Sequence, residues 1–380
     1  MNWYIIFFFL LAIALYLYTH YIRLQHKSQQ EKIESFQTAA RMTPIEKLQS
    51  THGITLTFLS ANTAARYMQS QAREYIALMN QPNLAARGVQ TQEQLLAAYS
   101  QSFQDITPVE QQRVIEFMQE LLSKVQYKYP AYYRYLTKWL SQISLAKSKA
   151  SLEGGMPHTL GNLVILDAGW FANPRATTFL HEITHIHQRQ VPFEFEDLYS
   201  DWGYLPTPMS EVRGMDSVLQ LNRNNPDGTS PDWLWQEPST TMSSIKTSIK
   251  TSIMTSIKNS VKNSVKNSGS EYWWIGAVFQ TATPASLGDI NLIALKIERD
   301  HDGHFYYLKQ QPTPLNSFKS FLQYFGGANP NNYHPNEMAA KFAEWYVEDM
   351  LGSPQRVNNT VNDGYQVYKE YFTKLLESYY

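Results

Sequence analysis

The hydrophobic and polar positions of this chain fall into separate regimes, and each predicts a different kind of element. From Met1 to Thr19 no side chain is charged, and Trp3 to Tyr18 reads WYIIFFFLLAIALYLY. Extended by Tyr21 and Ile22, the run approaches the roughly 20 residues that cross about 30 Å of hydrocarbon. Its aromatic residues (Trp3, Tyr4, Tyr16, Tyr18, Tyr21) gather towards the two ends, as interfacial belts do. Residues 1–22 are therefore predicted to be a single-pass membrane anchor with the lipid bilayer as partner. No basic stretch precedes the run and no small-residue cleavage site follows it, which disfavours a cleaved signal peptide. Arg23, Lys27 and Lys32 follow the span and favour a cytoplasmic C-terminal part, whereas the lack of cysteine leans outward, so the side of the membrane stays open.

Residues 23–50 are rich in Gln, Lys and Glu and read as a stalk. Helical spacing then dominates from 51 to 150. Its clearest start is Thr107-Pro-Val-Glu110, where Thr caps, Pro suits the first turn and Glu completes a capping box. Val114, Ile115, Met118, Leu121 and Leu122 then repeat on one face. Gly154-Gly155 and Pro157 break the pattern, and Asn162–Leu166 reads as a short buried strand. Asn173 and Pro174 predict the start of a helix that runs to Gln190 and stops before Pro192. Ile290–Glu298 and His304–Lys309 predict a hairpin turning at Asp302-Gly303. Pro335–Met350 and Gln366–Tyr379 read as helices.

From Ser244 to Ser268 the chain repeats SIKT, SIKT, SIMT, SIKN, SVKN, SVKN, with lysines at 246, 250, 258, 262 and 266 and no acid. A period of four overshoots the helical turn by about 40° per repeat, so its Ile/Val row would wind round a helix instead of forming one face. The segment reads as a solvated low-complexity loop. The fold class expected from these patterns is α+β and mostly helical, with a second domain over residues 151–380 that carries the loop.

Composition narrows the chemistry. A chain of 380 residues with 43% hydrophobic content can bury a sizeable core. Its net charge of -1 gives no reason to expect a nucleic-acid partner. With zero cysteines there is neither a thiolate ligand nor a thiol nucleophile, so a metal has to be held by His and carboxylates. The one segment specific enough to carry chemistry is His181-Glu-Ile-Thr-His185, inside the predicted helix. Residues i and i+4 share a helix face, which brings the imidazoles of His181 and His185 within reach of one ion. Glu182 lies about 100° round from His181, placed to address a water on that ion without binding it. Zinc lowers the pKa of such a water to about 7, and Glu182 can take its proton and return it to a leaving amine. His187 points about 240° away from His181 and is expected to pack or to hydrogen-bond elsewhere. Asp167, Glu194, Glu196 and Asp197 are candidates to hold the ligating rings, and the strand before the site helix to offer its backbone to an extended peptide.

The segment resembles the zincin metallopeptidases, whose HExxH motif it matches without a gap. That resemblance implies a third protein ligand. The metzincin form would need His or Asp at position 191, which is Val. The gluzincin form takes a glutamate from a later helix, and Tyr333-His-Pro-Asn-Glu-Met-Ala-Ala340 is similar to the third-ligand helix of lethal-factor-like gluzincins. Pro335, Glu337 and Ala340 align with it, while Lys341 and Ala343 stand where an acid and an aromatic are usual. Glu337 is thus the expected third ligand and Glu211, more loosely similar to the thermolysin-like helix, the alternative. The resemblance further implies a zincin-like catalytic domain, Zn2+ as cofactor, a peptide or protein substrate, and Tyr333 or His334 as donor to the developing oxyanion. The expected activity is that of a membrane-anchored zinc metallopeptidase; the alternative is a metal-binding scaffold that has the fold without turnover.

Overall fold

In a computed structural model of the protein, the described residues are 47–48, 52–227, 230–237, 271–326, 333–352 and 362–379. All belong to the second of the two units into which the chain divides, Ile45–Tyr380. The fold is mixed α/β: about half of the described residues are helical, and the strands form small sheets.

The first strands, β1 (Lys47–Leu48) and β2 (Ile54–Thr55), pair with each other. A five-stranded sheet follows, built from β3 (Thr57–Phe58), β4 (Phe103–Gln104), β5 (Ser144–Ser148), β6 (His158–Leu160) and β7 (Leu163–Asp167). Its order is β3-β5-β7-β6 with β4 also on β5; β3, β5 and β7 run parallel, while β6 returns antiparallel to β7. Strands from before and after residue 150 therefore share one sheet. A six-stranded antiparallel sheet comprises β8 (Tyr204–Pro206), β9 (Trp233–Gln236), β10 (Tyr272–Phe279), β11 (Ile290–Arg299), β12 (Phe305–Tyr307) and β13 (Thr313–Pro314). The expected hairpin is its β11–β12 corner, where Arg299 faces Phe305 and Gly303 takes a φ of +91° that a side chain would resist.

Several local signals act as the sequence implies. Thr107 and Glu110 close a capping box on the helix Pro108–Gln126, and Glu110 also receives Lys147 Nζ at 2.9 Å. The buried face of that helix joins the core with Trp139, Trp170, Phe179, Ile183, Trp202 and Phe342. The site helix is shorter than expected, Ala176–Gln190. Asn173 instead ends a preceding short helix, Ala168–Ala172, which Asp167 caps through Trp170 N. Pro174 sits in the turn between the two.

Two expectations change. β7 precedes the site helix but is interior, paired with β5 on one side and β6 on the other, so its backbone is not free for a substrate. The single-pass membrane placement is also corrected: among the described residues no helix is long and apolar enough to cross a bilayer. Residues 1–22, on which that expectation rested, lie outside the described residues, as do most of 23–50 and all of the repeat at 244–268.

The wall facing the site helix is braced by a buried ion pair. Arg87 Nε and Nη2 donate to Glu153 Oε1 and Oε2 at 2.9 and 2.7 Å, and the Tyr99 hydroxyl donates to the same carboxylate. Glu153 has a φ of +43°, a left-handed conformation that costs about 1–2 kcal/mol for a residue with a Cβ. The guanidinium holds it there, and Arg87 Nη2 also donates to Asn224 O at 3.0 Å. Burial alone would raise the Glu153 carboxyl, but Arg87 more than offsets it and holds it below its usual range. The stabilisation is accordingly present above the ordinary Glu value of about 4.3 and fades as acid lowers the pH through the depressed one. Glu153→Gln should lower unfolding stability by about 3–5 kcal/mol at pH 7, because it leaves Arg87 charged and buried without its partner. Urea denaturation measures this; a change under 1 kcal/mol would show that the brace contributes nothing.

Candidate metal centre

Two helices build the site. On the helix Ala176–Gln190, Phe179, Leu180, Ile183 and Ile186 point into the core, which turns His181 and His185 towards the helix Pro335–Leu351. This second helix starts from a firm cap: His334 Nδ1 accepts from Asn336 N, its Nε2 faces Ser230 O at 2.8 Å, and Pro335 fills the first turn. Ala339 and Ala340 are fully buried, and their small side chains let the two backbones come close. Glu337, in the first turn, then meets both histidines.

Glu337 Oε2 lies 3.4 Å from His181 Nε2 and 3.8 Å from His185 Nε2, and the three candidate ligand atoms lie within 4.8 Å of one another. A tetrahedral ion with bonds of about 2.0–2.2 Å separates its ligand atoms by about 3.3–3.6 Å, so small shifts would close the three round a metal. The second nitrogens are committed elsewhere. His181 Nδ1 faces Glu344 Oε1 at 2.8 Å, with Lys341 Nζ on the other oxygen at 2.7 Å. His185 Nδ1 faces Gln188 Oε1 at 2.9 Å, and Gln188 Nε2 donates to Tyr199 OH and Asn336 O. An acceptor at each Nδ1 places a proton there and leaves each Nε2, the atom that would bind a metal, directed at Glu337. His185 Nε2 is buried with no hydrogen-bond partner, which is what a ligand atom awaiting a cation looks like. A buried group of His181, His185 and Glu337 is thus able to hold a metal ion.

Glu182 is 2% exposed, and its Oε2 also has no partner. Burial, then the neighbouring Asp227 carboxylate, push its carboxyl well above the usual range. It lines a cavity of about 210 Å3 together with His181, Glu337, Arg223, Asn225 and Asp227. Asn225 Nδ2 donates to Glu337 Oε1 at 2.7 Å. Asp227 accepts from Thr159 N and Oγ1 at 2.7 and 2.9 Å, and Arg189 Nη2 reaches Thr159 O at 3.4 Å. The outward backbone of the edge strand β6 is therefore already occupied at Thr159.

The remaining candidates fall apart spatially. Glu211 ends an exposed turn, Met209–Glu211, away from the cluster. Tyr333 is buried, and it sits under the Arg223 guanidinium instead of in the cavity wall. Asp167 caps the preceding helix, Glu196 and Asp197 are exposed, and Glu194 holds His187 Nε2 at 2.6 Å within an aromatic nest of Tyr135, Trp139 and Phe195. The groups that do hold the rings, Glu344 and Gln188, were missed. Helical spacing could have found both, since Glu344 is two turns beyond Glu337 and Gln188 one turn beyond His185. Asn225 and Asp227 come from a distant polar loop and carried no such signal.

The electrostatics predict what metal uptake does. Burial would lower the His181 pKa, but Glu337 and Glu344 outweigh it and hold the ring well above its usual value. His185 is pushed down to about 3 by burial. The metal-free protein therefore favours a proton on His181 Nε2 and none on His185 Nε2, and a cation binding there competes with the first. In Glu182→Gln protein, where that carboxyl cannot contribute, one equivalent of divalent metal should release about one proton. Titration calorimetry in two buffers of different ionisation heat counts it, and zero release would show that His181 Nε2 carries no proton before the metal binds. Glu344→Gln should weaken metal affinity about 10–100-fold.

No protein-family model, no curated protein and no solved structure matches the chain, so the chemistry of the site rests on its own side chains.

Proposed function

We propose that this protein is a zinc-dependent peptidase of the zincin type, hydrolysing peptide bonds at the centre formed by His181, His185 and Glu337. One observation carries the reading: a buried, unpartnered glutamate, Glu182, stands beside a two-histidine, one-glutamate group on the wall of a cavity. A site that only stored a metal would have no use for such a carboxylate. Two imidazoles and one carboxylate suit zinc, and three protein ligands leave a fourth position open, as catalytic sites do. When bound, zinc supplies Lewis acidity at a carbonyl and makes a water molecule acidic enough to ionise near pH 7.

The residues of the chain do the rest. Glu182 takes the proton of the attacking water on its free Oε2 and returns it to the departing amine, a transfer helped by the burial that raises its affinity for a proton. Glu344 and Gln188 fix the two imidazoles in the tautomer that binds metal. Asn225, bonded to Oε1 of Glu337, keeps Oε2 aimed between the rings.

Purified wild type should carry about one zinc per chain and cleave members of a broad fluorogenic peptide library. Glu182→Gln should retain the zinc and lose about 10²–10⁴-fold in kcat. Glu337→Gln should lose the metal itself, and Glu211→Gln should change neither. Equal cleavage by wild type and Glu182→Gln would remove the mechanism. Zinc bound without cleavage of any peptide would leave a metal-holding scaffold.

A further inference from the structure

One charge on the cavity wall is not accounted for by the metal centre. Arg223 is 6% exposed, and its backbone is pinned to β10 through Arg223 N and Ala277 O at 2.9 Å. Its guanidinium lies 6.0 Å from the centre of the Tyr333 ring and faces the same cavity as His181, Glu182 and Glu337.

The other buried cations nearby are committed. Arg87 is paired in two-pronged fashion with Glu153. Arg189 spends its donors on the oxygens of Thr159, Gly161 and Pro226. Lys341 is paired with Glu344. Arg175 lines the cavity from an exposed position at the start of the site helix. Among the described residues, no carboxylate comes within ion-pair distance of Arg223. The groups that influence it from nearby are the Tyr333 hydroxyl and then Glu337, whose oxygens are already directed at the two imidazoles and at Asn225. A divalent ion at the centre would neutralise that carboxylate further. The result is a desolvated guanidinium on the cavity wall without a carboxylate partner, a group suited to a two-pronged grip on a carboxylate.

We propose that Arg223 is a carboxylate-binding subsite of the centre, so that the peptide cleaved carries a carboxylate, either an acidic side chain or the chain terminus, close to the scissile bond. This substrate class rests on the peptidase reading. Arg223 acts on specificity and is not part of the proton transfer.

The test separates the two readings by measuring binding instead of turnover. Zinc-loaded Glu182→Gln protein is titrated calorimetrically with three peptide hydroxamates of equal length. One has a free C-terminus and neutral side chains, one is amidated with an adjacent aspartate, and one is amidated with asparagine in its place. At least one of the two carboxylate forms should bind ten times or more tightly than the neutral form, and which one it is identifies the source of the charge. Adding Arg223→Gln should abolish that preference while zinc content and affinity for the neutral probe stay within about threefold. Arg223→Lys, which keeps the charge but loses the planar fork, should restore part of it and guards against a folding defect in the first variant. Equal binding of all three probes to the parent protein, or a preference that survives Arg223→Gln, would overturn the subsite and leave the peptidase reading standing. A protein that takes up no zinc and binds none of the probes would sink both.

Discussion

The centre of this molecule depends on the register between two buried helices. Glu337 Oε2 reaches both Nε2 atoms only because its helix begins where it does; a slip of one residue would move it by about 1.5 Å and rotate it by about 100°. The first turn is pinned from three directions. His334 caps it, Gln188 of the site helix donates to Asn336 O, and Tyr199 OH donates to Asn336 Oδ1 at 2.9 Å. Gln188 is also the group that orients His185, so one side chain sets both the ring and the acid that meets it. Geometry and helix packing are here the same constraint.

Electrostatics follow from that geometry. Burying Glu153, Asp227, Glu337 and Glu344 so close together is tolerable because each has fixed donors: Arg87, Thr159, Asn225 with the imidazoles, and Lys341 with His181. Glu182 breaks the pattern, with one oxygen that nothing satisfies. A carboxyl that is buried and lacks a donor favours its neutral form, the opposite tendency to Glu337 a few ångströms away. Two carboxylates on one cavity wall are thereby pushed in opposite directions, one towards the ionised form beside the imidazoles and one towards the protonated form.

Much of this was legible because it is local. The capping box at Thr107 and Glu110, the hairpin at Gly303 and the shared face of His181 and His185 follow from spacings of two to six residues. Asn173 misled because two helix starts compete there: Asp167 wins the first, and Asn173 then serves as its end. What stayed hidden is what long-range pairing decides. The sequence marks β7 as a buried strand but cannot say that β6 folds back beside it and takes the edge. Nor does it say that a polar loop far from either helix supplies the cavity wall. The membrane expectation failed differently, since it rested on hydropathy in residues 1–22 while the described helices carry no span.

That loop, Asn222–Asp227, makes the site a cavity instead of an open face between helices. Asn222 lies in a bridge with Val278, Asn224 Nδ2 donates to Leu78 O at 2.8 Å, Asn225 holds Glu337, and Asp227 bonds Thr159 on β6. Six consecutive residues thus tie the six-stranded sheet, the C-terminal end of the helix Ala61–Ala77, the helix carrying Glu337 and the edge of the five-stranded sheet. Occupation of β6 at Thr159 by Asp227 means that a chain entering the cavity cannot add to that strand at that residue while the loop stays docked. Its grip has to come from side-chain chemistry on the wall, and the buried charge in that wall without an acidic partner belongs to Arg223, in the same six residues.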